Sequence, residues 1–403
     1  MKTNKRREFI KKSLFGLSGA ALLPGSLKSV VQGNEQQTGI PDLPGRFLGR
    51  TGIRTPLISL GSGSANSPDF IRSAYYAGVK LFFSATYYGE GNNEKLVGEG
   101  LRDLPRDSFV VGTAAPPDGM DTRSGTIPSP LDVDAYIKKA EASLGRFGLS
   151  YVDIFMFPYA SKRDVILNES LLKALNELKK KGKTRYLGIA THGNIPIALK
   201  AAADSKVYDV AMVAYNYKTE DKKAVIEAID YATKAGVGVV AMKTIAGASR
   251  NNNQAGTINS DSVLRYVLQN ENISSIVSGM SSFEELQKNL AMIKNLKMSE
   301  QELKELNISL KNQDQGLYCH QCRKCVPQCS YNLEIPTAMR SYMYAYGYRN
   351  YEHAQHTLRE ASLPADACKN CISCTVKCTA GFKIKERMED ISRLLDVPRE
   401  FLS

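Results

Sequence analysis

All eight cysteines of this chain fall into two copies of one pattern, Cys319-x2-Cys322-x2-Cys325-x3-Cys329 and Cys368-x2-Cys371-x2-Cys374-x3-Cys378, and nothing before Cys319 is a cysteine. Thiolates at every third position of a tight loop can wrap three corners of a cubane iron–sulfur cluster, and the fourth cysteine of such a run ligates the other cluster where two are present. Two 4Fe-4S clusters would use every thiol. Zinc is the first alternative, but its sites usually pair cysteines and close at four ligands, so a third cysteine at the same short interval fits poorly. Disulfides fit less well still, because neighbours two residues apart are awkward partners and the segment follows a long cysteine-free stretch. The proline that often follows the fourth cysteine is replaced by Ser330 and Thr379; proline shapes that loop without supplying a ligand.

With 403 residues and 43% apolar content, the chain has material for one large and one small domain. Its first 28 residues belong to neither. Lys5-Arg6-Arg7-Glu8-Phe9-Ile10-Lys11, followed by the apolar run Leu14 to Leu23, reads as a twin-arginine export signal. A membrane span needs about twenty apolar residues, and this run is interrupted by Gly16 and Gly19 and followed by Pro24; no integral span is expected in the mature form. Twin-arginine export carries folded proteins, which suits clusters assembled in a reducing cytosol, so a periplasmic location is expected. About half of the formal charge of +12 lies in this segment, and no nucleic-acid partner is needed to explain it.

Residues 29–45, rich in Gly, Gln, Asn and Pro, read as a linker. From 46 to 298, short apolar runs alternate with amphipathic stretches, the pattern of repeated βα units. The strand candidates are 57–60, 80–83, 109–112, 152–157, 186–190, 210–214, 238–242 and 273–277, with helical stretches between them. Eight units predict an α/β fold, a (β/α)8 TIM barrel, with reactive residues on the loops that follow the strands. An open doubly wound sheet would carry a glycine-rich fingerprint after its first strand. Gly61-Ser62-Gly63-Ser64 lacks the third glycine. Residues 299–403 form the cysteine-bearing tail.

The chain resembles the aldo/keto reductase superfamily, and within it the members with a two-cluster ferredoxin-like tail. The resemblance rests on Phe47-Leu48-Gly49-Arg50-Thr51-Gly52, Tyr88-Gly89, Glu94-Lys95-Leu96-Val97-Gly98, Asp153, Lys183 to Ile189, Tyr215-Asn216, Ala241-Met242-Lys243 and Gly279-Met280-Ser281-Ser282, continuing through Glu285 and Asn289 into both cysteine runs. It implies a site of Asp, Tyr, Lys and His donating a proton to a carbonyl while nicotinamide donates hydride. Only Tyr88 remains: the aspartate position is Phe83, the lysine position Ala114 and the histidine position Pro158. A tyrosine with an ordinary pKa near 10 needs a cation or relay to act as an acid near neutrality. The residues that would hold the carboxamide fall at or near Ala190, Thr191 and Met212, and Glu285 stands where many members place an arginine for a ribose phosphate. Asn289 is kept as a cofactor-binding candidate, but NAD(P) is a doubtful cofactor for this site.

His192 after the fifth strand candidate and Lys243 at the end of the seventh join Tyr88 as catalytic candidates, with Tyr87, Tyr215 and Tyr217 expected to line the same mouth. Lone His and Lys residues on loops are also often merely solvated. The stretch Tyr342, Tyr344, Tyr346, Tyr348, Tyr351 is expected to pack around the clusters and keep water from the sulfurs. The resemblance further implies crossed ligation, with Cys319, Cys322, Cys325 and Cys378 on one cluster, Cys368, Cys371, Cys374 and Cys329 on the other, and a helical segment from Pro336 to Ala361 between them. The basic residues Arg323, Lys324, Lys369, Lys377, Lys383 and Lys385 would offset cluster charge or meet an acidic redox partner. The leading expectation is an exported iron–sulfur oxidoreductase acting on a small molecule at the barrel mouth through an unknown redox partner protein. The alternatives are a non-catalytic barrel serving as scaffold or binding module, with the clusters as structural elements or a simple electron carrier, and, last, a conventional nicotinamide-dependent reductase.

Overall fold

The computed structural model describes residues 39–246, 259–311 and 316–402; the export-signal reading of residues 1–28 lies outside them. Among the described residues no helix is long and apolar enough to cross a membrane.

The fold is the expected (β/α)8 barrel. Its eight strands are β3 (Ile58–Gly61), β4 (Leu81–Phe83), β5 (Val110–Ala114), β6 (Val152–Phe157), β7 (Thr184–Thr191), β8 (Val210–Ala214), β9 (Gly238–Met242) and β10 (Ile273–Gly279), hydrogen-bonded in sequence and closed by β10 against β3. All these pairings are parallel. A short antiparallel hairpin, β1 (Gly45–Phe47) and β2 (Arg54–Pro56), precedes the barrel. Its turn lies against the start of β9: Gly49, at φ 52, meets the backbone of Gly236 and Gly238 so closely that any side chain would clash. Leu43, inside the stretch read as a linker, is buried in the core.

The outer helices are α1 (Pro68–Tyr76), α2 (Asn92–Leu101), α3 (Val133–Phe147), the single turn α4 (Arg163–Ile166), α5 (Glu169–Lys180), α6 (Ile195–Ser205), α7 (Lys222–Lys234), α8 (Ser260–Leu268) and α9 (Phe283–Met292). Sequence dictates these locally. In α5, Asn168 caps the start by accepting from Leu171 N–H, and Leu171, Ala174, Leu175 and Leu178 bury one face at helical spacing. Each buried leucine contributes about 1.5–3 kcal/mol.

Two buried carboxylates hold the ends of the strands remote from the mouth. Asp153, fully buried at the start of β6, accepts from Val111 N–H at 2.8 Å, Arg106 at 2.8 Å and Arg185 at 3.0 Å. Asp209, just before β8, accepts from Arg50, Lys179 and Leu187 N–H. Charges so deep are tolerated only because every one is paired and hydrogen-bonded. Asp153 therefore acts on the fold, away from the mouth.

Beyond the barrel come α10 (Glu300–Lys311), the first cysteine run, α11 (Ile335–Tyr346), α12 (Tyr351–Glu360), the second run and α13 (Ile384–Ser392). The segment from Pro336 to Ala361, expected to be helical, comprises α11 and α12 with a short break. Between them Arg349 adopts φ 52, and Asn350 caps α12 by accepting from His353 N–H while donating 3.2 Å to the Gly63 carbonyl on the loop after β3. That bond ties the tail to the barrel mouth.

Candidate functional site at the barrel mouth

Three loops following barrel strands bring the sequence candidates to one place. Tyr88 stands beyond β4 on a tight turn in which Gly89, Glu90 and Gly91 all have positive φ; His192 follows β7, and Lys243 follows β9 with φ 56. All three line a single cavity of about 120 Å³. Tyr88 approaches over Gly63, where an added Cβ would come within 3.2 Å of its ring.

Apolar side chains form the floor: Phe83, Ala114, Met156, Pro158, Ala190 and Met212. Phe83 owes its place to Gly112, because any side chain there would overlap its ring. The opposite side comes from the tail, where Tyr344 on α11, Tyr348 and Asn350 in the break, and His353 on α12 all line the same cavity. Lys243 Nζ donates to Tyr344 Oη at 2.5 Å, and the His353 ring lies 4.3 Å from Tyr344 and edge-on to Tyr88 at 5.3 Å.

This arrangement corrects two expectations about tyrosines. Tyr344 and Tyr348 face the barrel mouth. Tyr342, two residues earlier on α11 and so on another face, stacks with Tyr346 at 4.4 Å beneath Arg387, which lies near Cys319 and Cys378. Tyr87 lines the cavity, but Tyr215 and Tyr217 are buried in the core, the latter beside Ser309 on α10. Asn289 is also set back: it sits on α9, donating 3.4 Å to Ser278, and only Ser278 lines the cavity. Glu285 accepts from Ser281 N–H at 2.8 Å and from the Ser281 hydroxyl, so its carboxylate serves the start of its own helix.

The electrostatics follow from burial. Lys243 is pushed down to about 7 because burial disfavours its cation and Arg340 repels it. Burial, helped by Arg340 and Lys243, also drives His192 and His353 well below the usual imidazole range. Burial raises Tyr88 far above ordinary phenols and moves Tyr344 up to about 12. At neutral pH the mouth thus holds neutral imidazoles, protonated phenols and one amine poised between its two forms.

The first cysteine run lies beside this mouth. Tyr318 hydrogen-bonds Asn216 beyond β8, His320 sits 3.9 Å from Glu220, and Gln321 approaches Gly193 next to His192. Cys319, Cys322, Cys325 and Cys378 together line one cavity, walled by Ile335, Pro336, Met339 and Ile384. Cys368 has Cys329, Cys374 and Cys371 as its neighbouring thiols. Each set therefore takes three cysteines from one run and one from the other. Sulfurs ringing a cavity suit a polynuclear cluster, whose thiolates bind separate irons.

A residue that cysteine spacing could not reveal joins the two runs. The Gln328 side chain accepts from Lys377 N–H at 2.7 Å and donates to the carbonyls of Lys324 and Lys377, while its own carbonyl accepts from Thr375. Of the basic residues, Arg323 is held in a two-bond pair with Glu334, and Lys385 donates to the Cys371 carbonyl.

Comparison with known proteins defines the class of the two parts. The aldo/keto reductase family model matches residues 62–262, and a 4Fe-4S dicluster domain matches residues 318–383. The chain belongs to the aldo/keto reductase family and carries a 4Fe-4S dicluster domain at its C-terminal end. It is 27% identical over 313 residues to L-galactose dehydrogenase of Arabidopsis thaliana, covering 66% of this chain and 93% of that protein. It is 28% identical to D-threo-aldose 1-dehydrogenase from a Pseudomonas species, covering 45% and 64%. Among solved structures, the holo form of an aldo-keto reductase from Bacillus halodurans shares the fold at TM-score 0.55 and 19% identity, covering 66% of this chain and 96% of that one. An aldo-keto reductase from Klebsiella pneumoniae in complex with NADPH does so at TM-score 0.51 and 19%, covering 66% and 94%.

Proposed function

We propose that this chain is an exported iron–sulfur oxidoreductase that relays electrons between a partner protein and a small molecule held at the barrel mouth. Cys319, Cys322, Cys325 and Cys378 would hold one 4Fe-4S cluster, and Cys368, Cys371, Cys374 and Cys329 the second; when bound, they supply one-electron redox chemistry. The barrel is assigned to residues 46–298, the cluster domain to 299–403, and residues 1–28 to a twin-arginine signal directing the folded protein to the periplasm. The observation that carries this reading is the shared boundary: helices of the cluster domain form one wall of the barrel-mouth cavity, and the first cysteine run rests on the loops after β7 and β8. Tyr88, His192 and Lys243 would touch the bound molecule, with Tyr344 and His353 added from the tail. An apolar floor limits water in the cavity, which strengthens every polar contact made there.

One observation favours a second reading, a barrel that binds without catalysing. Phe83, Ala114 and Pro158, at the positions where the family keeps Asp, Lys and His, present no titratable group to the cavity. The same substitutions, with Glu285 turned to its own helix start, weigh against ordinary nicotinamide-dependent reduction. Oxygen-free protein should contain eight irons with matching acid-labile sulfide and bleach reversibly with dithionite, and NADH or NADPH should leave its melting temperature unchanged. Colourless, zinc-containing protein would refute the electron-relay reading; a melting-temperature rise would restore the nicotinamide site.

A further inference from the structure

We propose that Lys243 is a nucleophile, capturing small aldehydes and ketones as an imine inside the barrel-mouth cavity, with the Tyr344 hydroxyl moving the protons. This assigns a chemical role to Lys243 and rests on the reading that the mouth binds a small molecule.

Four observations support it. First, Lys243 is the only amine among the described residues lining the cavity, and no carboxylate lines it there, so nothing on that wall holds the amine as an ion pair. The charged group that most affects it is Arg340, a like charge, and a desolvated lysine beside another cation is the setting in which amines become carbonyl nucleophiles. Second, Lys243 sits at φ 56 directly after β9. A β-carbon in that conformation is strained, and such strain concentrates where a side chain is held for use. Third, Tyr344 Oη lies 2.5 Å from Nζ, close enough to pass a proton directly, and the Tyr344 ring is held against His353 at 4.3 Å between centroids. Fourth, the cavity measures about 120 Å³, below the roughly 150 Å³ of an engineered apolar cavity that admits benzene. It therefore suits carbonyl compounds of a few heavy atoms.

The bonds balance without an added oxidant or reductant. Nζ attacks the carbonyl carbon to form a C–N bond, the C–O bond then breaks, and the two amine protons leave with the carbonyl oxygen as water. Tyr344 passes a proton from nitrogen to oxygen and ends as it began. The neutral His192 and His353 rings and the protonated Tyr88 and Tyr87 surround this step.

The test uses the cluster-loaded protein at pH 7 under argon with propanal and sodium cyanoborohydride, which fixes an imine as a propyl amine, read by tryptic mass mapping over time. Lys243 should be propylated at least about tenfold faster than surface lysines, because far more of it is neutral at that pH. Tyr344→Phe should slow this labelling with the cluster absorbance unchanged. Phe83→Asp, which brings a carboxylate to the cavity, should return Lys243 towards the surface rate. Labelling of Lys243 no faster than surface lysines in the parent protein overturns the proposal, as does a Tyr344→Phe variant labelled at the parent rate. Dithionite bleaching is scored separately: labelling that fails while bleaching persists removes only the imine, and bleaching that fails while labelling persists removes only the electron relay.

Discussion

Replacing Lys243 with methionine should stabilise this protein at neutral pH, an unusual result for deleting a hydrogen-bonded side chain. The pKa of Lys243 falls from 10.5 unfolded to about 7 folded, and at about 1.4 kcal/mol per pH unit this amounts to about 5 kcal/mol of unfavourable burial. Solvent reaching a partly exposed residue reduces that to about 2–3 kcal/mol. Loss of the bond to Tyr344 gives back about 1 kcal/mol. Methionine is unbranched and adaptable beside Met242 and Met212, so a net gain of about 1–2 kcal/mol is expected at pH 7. The sign follows from proton binding. Between about 7 and 10.5 the unfolded lysine carries a proton that the folded one lacks, so parental stability rises with pH across that window and the full penalty is present below it. The advantage of the variant should therefore be largest at pH 7 and shrink by pH 9. Paired thermal melts of cluster-loaded parent and variant, under argon at pH 7 and 9 in one salt concentration, measure this. A variant that melts below its parent at pH 7, or whose advantage is the same at both values, refutes the burial of an amine that no carboxylate pairs among the described residues.

Crossed ligation predicts reciprocal damage: Cys378→Ser should deplete the cluster seated in the first run and Cys329→Ser the one in the second, each lowering iron and sulfide towards half. Selective loss of the cluster in the mutated residue's own run would contradict the pairing. Gln328→Ala removes the side-chain bonds that join the runs. It should cost about 1–2 kcal/mol and speed iron loss to a chelator, with unchanged loss rates counting against a joining role.

Local pattern accounts for much of the barrel. Strands at Val152–Phe157, Val210–Ala214 and Gly238–Met242 match their apolar runs residue for residue, because a strand buried on both faces needs a continuous apolar stretch bounded by turns. The start of α2 at Asn92 is set by the positive-φ turn of Gly89 to Gly91 that precedes it, with no side-chain cap. The single turn α4 and the hairpin β1–β2 are too short to leave a periodic signature. Alternation could not tell that Tyr215 and Tyr217 point into the core while Tyr87 lines the mouth, since loop residues follow no fixed period.

By itself the sequence determined a chain of βα units with iron–sulfur spacing at its end, and it placed Tyr88, His192 and Lys243 just beyond strands. These are short-range properties, set by periodicity and by the reach of a few bonds. Only the tertiary structure decided that α11 and α12 wall the mouth, that Tyr344 lies across from a lysine 101 positions away, and that Cys378 shares a cavity with the first run. Such contacts arise when separate amphipathic surfaces bury one another, and a pattern repeating every two or four residues does not encode which distant surface that will be.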